Sequence, residues 1–491
     1  MEARASEPRP ISIGLWSAMG LGLGVYLLAG GLEQGPRTVA AVFAAAVVLW
    51  VTEALPLAIT ALLATVALVV TGALPARQAF AAYGDPIVLL FVGSFILAQA
   101  MHECGLDRRL AYWLLRKPWA TRTASSMLLT LGVVACVISL FVSNTATTAM
   151  LLPIGLTILR AMNVQRRDHP VSNSYLLMLT WGSSVAVGTI VGTPPNVLGV
   201  GLIRQATGHS INFVDWAIFA MPITIALLLL AWLLLGRWRS EVPSTQEARV
   251  VAIEEYERLG PMKPSERATM LAFSVALALW IVPGLAEYVL GSDTALTKTL
   301  ASRIPEAVAA LIGAALLFVI PCADTESGRA ISWRQASGIE WGTILLFAGG
   351  LALGEATQAS GLAATVGHSI AGFFGATDVW AITAIAIGMG IVVSELASNT
   401  AAANIVVPVA IALAIGSGAN PIPPALGATI GCNLGFMLPI STPPNAIIYS
   451  SGLVKPGVMM RTGLIFDLLG FALTWLSLRL ILPAMGLADV R

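Results

Sequence analysis

The most informative residues of this sequence form a Ser-Asn-Thr tripeptide that occurs twice, at 143–145 and at 398–400. Each copy interrupts a long apolar segment and is followed by a proline ten residues after its serine. A helix that breaks inside a membrane frees backbone carbonyl and N–H groups, which must then face protein or a polar cavity. Freed carbonyl oxygens suit a small cation, and the N–H groups that begin a half-helix suit an anion. The duplicated tripeptide therefore predicts one site for both kinds of ion.

Candidate ligands for the cation surround both copies. In the first half, Ser139 and Ser143 are one helical turn apart, which lets both hydroxyls point the same way. The side-chain carbonyl of Asn144 and a freed backbone carbonyl near Gly192 add further oxygen ligands. The second half offers an equivalent set: Ser394, Ser398, Asn399 and a backbone carbonyl near Ala397 or Ser441.

The same positions can bind an anion. Half-helices that begin at the tripeptides direct positive dipole ends at it, with neutral donors from Asn144, Thr145, Asn399 and Thr400. None of the 27 basic residues falls near the middle of a predicted span. Because an uncompensated dianion in a low-dielectric cavity costs many kcal/mol, co-bound cations must help to neutralise it. An anionic substrate therefore predicts coupling to a cation.

The composition identifies the surroundings of this site. Of the 491 residues, 57% are apolar and 11% are charged, with a net charge of +1 and a mean hydropathy of +0.83. Soluble proteins carry about 25% charged residues, and apolar runs of roughly 20 residues recur here. The sequence predicts an all-α polytopic membrane protein and excludes a soluble enzyme. It has no basic tract and no zinc-type Cys and His spacing, which argues against nucleic-acid binding.

Two further motif pairs indicate an internal repeat, a feature typical of secondary transporters. The first pair is Gly-Thr-Pro-Pro-Asn at 192–196 and Ser-Thr-Pro-Pro-Asn at 441–445. The second pair keeps a constant offset of 256, with Phe-Val-Gly at 91–93 against Phe-Ala-Gly at 347–349. Together with the tripeptides, these pairs divide the chain into two related halves.

The apolar pattern predicts about eleven transmembrane helices and two re-entrant helical hairpins, 124–161 and 379–416, with the tripeptides at their tips. With the N-terminus inside, about 20 of the 27 basic residues lie in cytoplasmic loops. After the first span, each repeat has five spans and one hairpin, and the odd number makes the repeats inverted and the C-terminus external. The predicted spans are 11–31, 38–55, 56–73, 85–103, 174–203, 214–236, 268–290, 305–321, 341–358, 423–452 and 462–485.

The paired tripeptides, the paired Thr-Pro-Pro-Asn motifs and the run SNTATTAMLLP at 143–153 resemble the divalent anion:sodium symporter (DASS) family, the INDY-like dicarboxylate transporters. The resemblance covers roughly 38–485. It implies a homodimer in which a scaffold holds the interface, while a transport part with both hairpins moves as an elevator. The domains are then 1–37, a tail and first span; 38–123, scaffold; 124–236, transport, with a broken helix at 174–203; 237–267, a cytoplasmic linker; 268–378, scaffold; and 379–491, transport, with a broken helix at 423–452.

The resemblance also implies roles for individual residues. Carried over by motif position, one sodium site comprises Ser139, Ser143, Asn144 and Gly192, and a second comprises Ser394, Ala397, Asn399 and Ser441. The implied contacts to substrate carboxylates are Asn144, Thr145, Thr193, Pro195, Asn399, Thr400, Thr442 and Pro443.

The predicted function is sodium-coupled symport of C4-dicarboxylates such as succinate, malate and fumarate across the cell (inner) membrane. Sodium ions are the co-transported species, and the motifs of a membrane-embedded enzyme are absent. The alternatives are a sodium-independent dicarboxylate exchanger and a sulfate or citrate transporter of the same family. Two intact tripeptides favour symport over exchange. Glu395, an ionisable residue inside the second hairpin, has two possible roles, which are accepting hydrogen bonds within the hairpin and participating in coupling.

Overall fold

The computed structural model describes residues 11–236, 245–291, 293–365 and 378–488. Regular structure in these ranges is helical, apart from one isolated bridge between Pro321 and Arg329. The helices are α1 (Ile11–Leu28), α2 (Gln34–Thr52), α3 (Leu57–Val70), α4 (Ala76–Ala81), α5 (Pro86–Cys104), α6 (Leu106–Leu115), α7 (Ala124–Ser139), α8 (Asn144–Ala161), α9 (Pro170–Ser184), α10 (Pro194–Thr207), α11 (Phe213–Leu235), α12 (Gln246–Arg258), α13 (Pro264–Leu290), α14 (Ala295–Arg303), α15 (Glu306–Val319), α16 (Trp333–Ala336), α17 (Trp341–Ala359), α18 (Val379–Leu396), α19 (Asn399–Gly416), α20 (Ile422–Gly431), α21 (Pro443–Ser450) and α22 (Pro456–Ala484).

Within the described ranges, seven helical stretches are long and apolar enough to cross a membrane. They are Gln34–Thr52, Ala76–Cys104, Phe213–Leu235, Pro264–Leu290, Val379–Leu396, Asn399–Gly416 and Pro456–Ala484. α14 and α15, which are bent by 58° relative to each other, form an eighth if they are one span. Shorter apolar helices are Ile13–Leu28, Leu57–Val70 and Ala124–Ser139. The predicted number of about eleven spans stays a prediction.

The predicted breaks occur where the motifs lie. The segment 124–161 is two helices, α7 and α8, and 379–416 is α18 and α19. Each arm of the second hairpin has 18 residues, which is enough to cross a membrane alone, so the re-entrant path remains a prediction. The predicted broken helices are also each two helices, with irregular backbone between α9 and α10 and between α20 and α21.

The two halves arrange corresponding helices in the same order, with α7–α11 of the first half matching α18–α22 of the second. Their packing is reciprocal. α5 packs against α15, and its counterpart α17 packs against α3. Likewise α10 packs against α19, and α21 packs against α8. Such an exchange of partners is the pattern that two halves related by an approximate two-fold axis produce.

Two repeat-related glycines bring these helices together. A Cβ atom built on Gly93 would lie 2.7 Å from the carbonyl carbon of Ala310 on α15. One built on Gly349 would lie 2.9 Å from the carbonyl oxygen of Ala61 on α3. Backbone atoms cannot move aside as a flexible side chain can, so both positions require glycine for close packing.

We expect Gly93→Val and Gly349→Val each to destabilise the fold by at least about 1–3 kcal/mol, because the added atoms force the paired helices apart. The measurement is the monodisperse fraction and melting temperature of the purified protein in detergent. Gly342→Val, at a position where a Cβ would meet nothing within 4 Å, is the matched control. Equal behaviour of all three variants would contradict the close packing.

The described part of the predicted linker is a docked helix. α12 packs against α6 and α8. The guanidinium of Arg109 on α6 donates to Glu266 at 2.9 Å and to the carbonyl oxygen of Gly260 at 3.0 Å. Arg116 lies over the ring of Tyr256, 3.8 Å from its centroid. Parts of the predicted domains lie outside the described residues, namely 1–10, 237–244, 292, 366–377 and 489–491.

Candidate functional site

The two tripeptides occupy the starts of helices. α7 ends at Ser139 and α8 begins at Asn144, and in the second half α19 begins at Asn399. The hydroxyl of Ser143 accepts a hydrogen bond from the Ala146 N–H at 3.3 Å. The hydroxyl of Ser398 accepts from the Ala401 N–H at the same distance, 3.3 Å. Serine is the preferred N-cap because its oxygen pairs a free N–H of the first turn, and the sequence therefore sets both breaks.

One hydrogen bond is repeated across both tips. The Ser139 hydroxyl donates to Asn144 Oδ1 at 2.7 Å, and the Ser394 hydroxyl donates to Asn399 Oδ1 at 2.8 Å. Both serine side chains are fully buried. Each tip thus places a hydroxyl oxygen and an amide oxygen together, as the predicted cation ligands require.

The prediction that the Ser139 and Ser143 hydroxyls share a helical turn is wrong, because α7 ends at Ser139 and Ser143 caps the following helix. The Ser143 hydroxyl also lies 3.3 Å from Oε1 of Glu340, next to α17. Residues 140–143 form a turn rather than helix because the capping serine favours a new helix start. Ser143 therefore stays near the first site but does not point with Ser139.

Backbone oxygens gather around Gly192. A Cβ atom there would lie 2.5 Å from the carbonyl oxygen of Ala186 and 3.3 Å from that of Leu140. The Thr189 hydroxyl donates to the same Leu140 carbonyl. The absence of a side chain at Gly192 thus lets the first hairpin and the break of the first broken helix meet.

Ser441 has the corresponding position in the second half. Its hydroxyl donates to the carbonyl oxygens of Leu438 and Gly435, at 2.8 and 3.1 Å. Ser394 donates to the carbonyl oxygen of Cys432 at 2.7 Å, which joins the hairpin to the same break. Ala397, the other predicted ligand, is buried and has extended backbone with φ −139° between the two helices of the hairpin.

Four residues at the tips carry unused donors: Asn144, Thr145, Asn399 and Thr400. All four are half-buried. Among the described residues, their side-chain donors and their backbone N–H groups have no hydrogen-bond partner. The first N–H groups of a helix carry its positive dipole end, and they are open at both tips. This arrangement can bind an anion without a basic side chain.

The residues predicted at the Thr-Pro-Pro-Asn motifs are placed unequally. Thr193 is buried and its hydroxyl has no partner among the described residues, whereas the Thr442 hydroxyl caps α21 by accepting from the Asn445 N–H at 3.3 Å. Pro195 is buried and Pro443 is exposed. Both prolines lie in the first turn of a helix, where a missing N–H costs nothing.

The asparagines that end these motifs hold the breaks together, a role that the sequence analysis missed. Asn196 Nδ2 donates to the carbonyl oxygens of Thr189 and Val187, at 2.8 and 3.2 Å. Its Oδ1 accepts from Asn433 of the second half at 3.1 Å. Asn196 is fully buried, so it satisfies freed carbonyls that lipid could not satisfy.

Asn445 repeats this arrangement. Its Nδ2 donates to the carbonyl oxygens of Leu438 and Gly435, at 3.1 and 3.2 Å. Its Oδ1 accepts from the Thr180 hydroxyl of the first half at 2.8 Å. Each asparagine therefore stabilises its own break and joins it to the other half. Their recurrence after two prolines in both motifs is the signal that could have identified them.

Glu395 accepts hydrogen bonds from the second break, and not from within its own hairpin as one of its two predicted roles required. Its carboxylate accepts from the N–H groups of Met437 and Leu438, at 2.7 and 3.0 Å, and so binds the second break to its hairpin. Asp467 on α22, which the sequence analysis did not single out, is buried close to the Glu395 carboxyl.

Comparison with known proteins identifies the family to which this chain belongs. The family model described as the sodium:sulfate symporter transmembrane region matches residues 15–482. The chain belongs to this family of divalent anion:sodium symporters. It is 32% identical over 452 residues to a protein named sodium-dependent dicarboxylate transporter SdcS from Staphylococcus aureus strain bovine RF122 / ET3-1, covering 90% of this chain and 85% of the relative. The homologue of strain NCTC 8325 is 31% identical over the same length and coverage.

Two solved structures share the fold. The Alcanivorax borkumensis YdaH transporter aligns with a TM-score of 0.56 at 15% identity, covering 84% of this chain and 87% of that chain. Neisseria gonorrhoeae MtrF, described as one of a class of antimetabolite efflux pumps, aligns with a TM-score of 0.50 at 14% identity, covering 80% of each chain. At these identities the likeness concerns the fold alone.

Membership of the family confirms three predictions. The resemblance read from the paired motifs is confirmed, and so is an integral membrane transporter rather than an enzyme. The bacterial relative and the apolar helices place the protein in the cell membrane. The predicted all-helical class also holds for the described residues.

Proposed function

We propose that this protein is a sodium-coupled symporter of C4-dicarboxylates such as succinate, malate and fumarate. The observation that carries the proposal is the Ser–Asn hydrogen bond repeated at both helix starts, 139 to 144 and 394 to 399. It puts cation ligands and anion donors at the same two places. The relative named a sodium-dependent dicarboxylate transporter supports the choice of ions.

Each tip would bind one sodium ion as a transported substrate. At the first tip the ligands are the side-chain oxygens of Ser139 and Asn144 with the backbone at Ser143 and Gly192. At the second they are the oxygens of Ser394 and Asn399 with the backbone at Ala397 and Ser441. Because hydroxyl, amide and carbonyl oxygens are neutral, they suit a monovalent cation without holding it too tightly for release.

The dicarboxylate would lie between the two tips, with one carboxylate at each. Asn144 and Thr145 would donate to one end, and Asn399 and Thr400 to the other. Thr193, Thr442 and the prolines Pro195 and Pro443 would complete the walls. The open N–H groups of α8 and α19 and the two sodium ions together would balance a dianion, since no Lys or Arg among the described residues hydrogen-bonds to the tip side chains. Substrate then binds well only after sodium, which is the basis of coupling.

Transport would follow an elevator mechanism in a homodimer of inverted repeats. The scaffold would comprise 38–123 and 268–378, and the transport parts 124–236 and 379–491 would move with both tips. Reciprocal packing of α5 with α15 and of α17 with α3 supports such a scaffold. The two parts meet where Arg204 on α10 pairs with Asp85 before α5, with Nη2 to Oδ2 at 2.6 Å.

We expect this ion pair to favour the arrangement seen here, because α10 cannot slide along α5 without breaking it. Cross-linking between Gln99→Cys and Ala146→Cys, which line one cleft of about 80 Å³, would report this arrangement in a Cys104→Ser background. Removing the pair with Asp85→Asn should lower the cross-linking rate about fivefold, equivalent to about 1 kcal/mol.

Exchanging the two charges provides the control for this ion pair. The double variant Asp85→Arg with Arg204→Asp should restore the cross-linking rate in part, because the exchanged charges attract again but α5 loses the cap in which Asp85 Oδ1 accepts from the Ile87 N–H at 2.9 Å. Either reversal alone should lower the rate further. If all of these variants cross-link at the same rate as the protein with the ion pair intact, the pair does not set the conformation.

Sulfate is the second candidate substrate, because the matching family model is described by sodium:sulfate symport. The same neutral donors could hold one compact dianion at the helix starts. A sodium-independent exchanger is less favoured, since both tripeptides and both Ser–Asn hydrogen bonds are intact.

The test is uptake by proteoliposomes. An inward sodium gradient should drive accumulation of labelled succinate, and potassium or choline in its place should not. Uptake without sodium that requires succinate inside the vesicles would instead establish an exchanger. Sodium-dependent uptake of sulfate but not succinate would establish the second candidate.

A further inference from the structure

Two carboxylic acids lie buried side by side next to the second tip. Glu395 is near the end of α18, and Asp467 lies within α22. Their residues are 7% and 3% exposed. Neither belongs to the ligand sets of the proposed sodium sites. A buried ionisable group inside a membrane-spanning part requires an explanation in terms of charge.

The two acids differ in how they are satisfied. Glu395 accepts hydrogen bonds from two backbone N–H groups, of Met437 and Leu438. Both Asp467 oxygens are inaccessible to solvent and accept no hydrogen bond from the described residues. The groups facing Asp467 are the Glu395 carboxyl and the Phe436 N–H, and the two carboxyls are close enough to hydrogen-bond each other when one of them holds a proton.

The described residues bring no positive side chain into an ion pair with these two acids. Two carboxylates taken out of water without a partner are strongly unfavourable. Either a bound cation or a proton shared between them must therefore compensate their charge.

The first half shows that the fold does not need these acids. At the repeat position of Glu395 the first hairpin has Leu140, since Ser139 corresponds to Ser394. The residues of α11 that approach the first break carry no carboxylate: Trp216 Nε1 donates to the Val187 carbonyl at 2.9 Å, and Met221 Sδ and the Thr224 hydroxyl would lie 2.8 and 3.2 Å from a Cβ on Gly188. The same hairpin, break and long helix are thus built there without a carboxylate. The acid pair is an addition specific to the second half.

A neutral carbonyl oxygen and a cluster of aromatic rings lie where α22 packs against the second break. A Cβ on Gly463, one helical turn before Asp467, would lie 2.3 Å from the Phe436 carbonyl oxygen, so α22 approaches the break closely. The rings of Trp181 and Phe466 stack with centroids 4.6 Å apart, and Phe436 packs edge-on against Phe466 at 4.7 Å. These aromatic rings pack where α22 meets the second break, since Phe466 is next to Asp467 in the chain and Phe436 belongs to the break.

We propose that Glu395 and Asp467 bind an additional sodium ion, separate from the ions at the two tips. The ligands are oxygens of both carboxylates and the carbonyl of Phe436, a hard oxygen set suited to this cation. The proposal rests on sodium being the coupling ion of the proposed function. Because Glu395 is adjacent to Ser394 and bonds the break that contains Ser441, an ion here joins the second hairpin to α22 and moves with them.

The test counts bound sodium directly. Equilibrium binding of ²²Na⁺ to purified protein, without substrate, is compared for the wild type, Asp467→Asn and Glu395→Gln. Each amide keeps the shape of the acid and removes its charge. We expect each variant to bind one sodium ion fewer per chain than the wild type. Glu254→Gln, which neutralises an exposed acid on α12, is the control and should leave the count unchanged.

The outcomes separate this site from the proposed function. Equal counts in the wild type and in both folded amide variants, with sodium-driven succinate uptake intact in the wild type, would overturn the additional site alone. Equal sodium counts in the wild type and both amide variants, together with a proton that the wild type releases when sodium binds, would show that a proton compensates the acid pair. That result would also overturn the additional sodium site. If Asp467→Asn does not fold, Glu395→Gln decides. A wild type that binds no sodium would instead reject the proposed function.

Discussion

Asn144→Ala and Asn399→Ala should each abolish sodium-driven succinate uptake, with a loss of about 100-fold or more. Each substitution removes the amide oxygen that accepts from Ser139 or Ser394 and the side-chain donor beside the helix start. Hydrogen bonds to charged groups contribute about 1.5–3 kcal/mol each. The free energies lost with one contact to sodium and one to substrate add, so the corresponding factors in rate multiply. The measurement is the initial rate of uptake into proteoliposomes over a range of sodium concentrations.

The control for both variants is Asn163→Gly. Asn163 is exposed, lies in a turn after α8 and has φ 58°, a conformation that glycine keeps. It should transport at the wild-type rate. A sodium dependence that survives in either alanine variant would show that the tip asparagines do not bind the coupling ion.

Asn196→Ala and Asn445→Ala should be the most destabilising substitutions near the site. Asn196→Ala removes three buried hydrogen bonds, the two to the Val187 and Thr189 carbonyls and the one from Asn433. Each of these partners keeps one other hydrogen bond: Val187 from Trp216 Nε1, Thr189 from the Gly192 N–H, and Asn433 to the Thr429 carbonyl. A buried hydrogen bond contributes about 1 kcal/mol. We expect a loss of about 3 kcal/mol, equivalent to a fall in melting temperature of about 6–12 °C for a domain of moderate size.

Thermal unfolding in detergent measures this loss, with Asn420→Ala as the control. Asn420 lies just before α20, away from both breaks, where it accepts from the Ile422 N–H at 2.9 Å and donates to the Leu487 carbonyl oxygen at 2.8 Å. Loss of these two partly buried hydrogen bonds costs about 1–2 kcal/mol, so its melting temperature should fall less. If Asn196→Ala, Asn445→Ala and Asn420→Ala have the same melting temperature, Asn196 and Asn445 do not stabilise the breaks.

The sequence predicted the helical breaks well because local chemistry sets them. A capping serine and a proline at the start of a helix define both tips and both broken helices in a few residues. Predicted segments such as 124–161 and 379–416 therefore match observed helix pairs. The paired glycines at 93 and 349 were also recognised as repeats, although their contacts with α15 and α3 were not foreseen.

The remaining features depend on contacts between distant parts of the chain. Asn196 meets Asn433, and Asn445 meets Thr180, across separations that no local pattern encodes. Asp467 looks like one polar residue in an apolar helix until α22 is packed against the second break. The Ser143 hydroxyl was predicted in the wrong place because regular helix was expected through 140–143. The structure has a turn there, since Ser143 caps the start of α8. Helix number and orientation relative to the membrane depend on a bilayer, which helix length alone does not specify.

The most direct test of sodium-coupled symport measures both fluxes in the same proteoliposomes. Uptake of ²²Na⁺ and of labelled succinate is followed with and without the other species, at a clamped membrane potential. The account predicts that succinate accelerates sodium entry and sodium accelerates succinate entry, with a constant ratio that Asn144→Ala and Asn399→Ala eliminate. Succinate entry that proceeds without sodium, balanced by succinate leaving the vesicles, would contradict it.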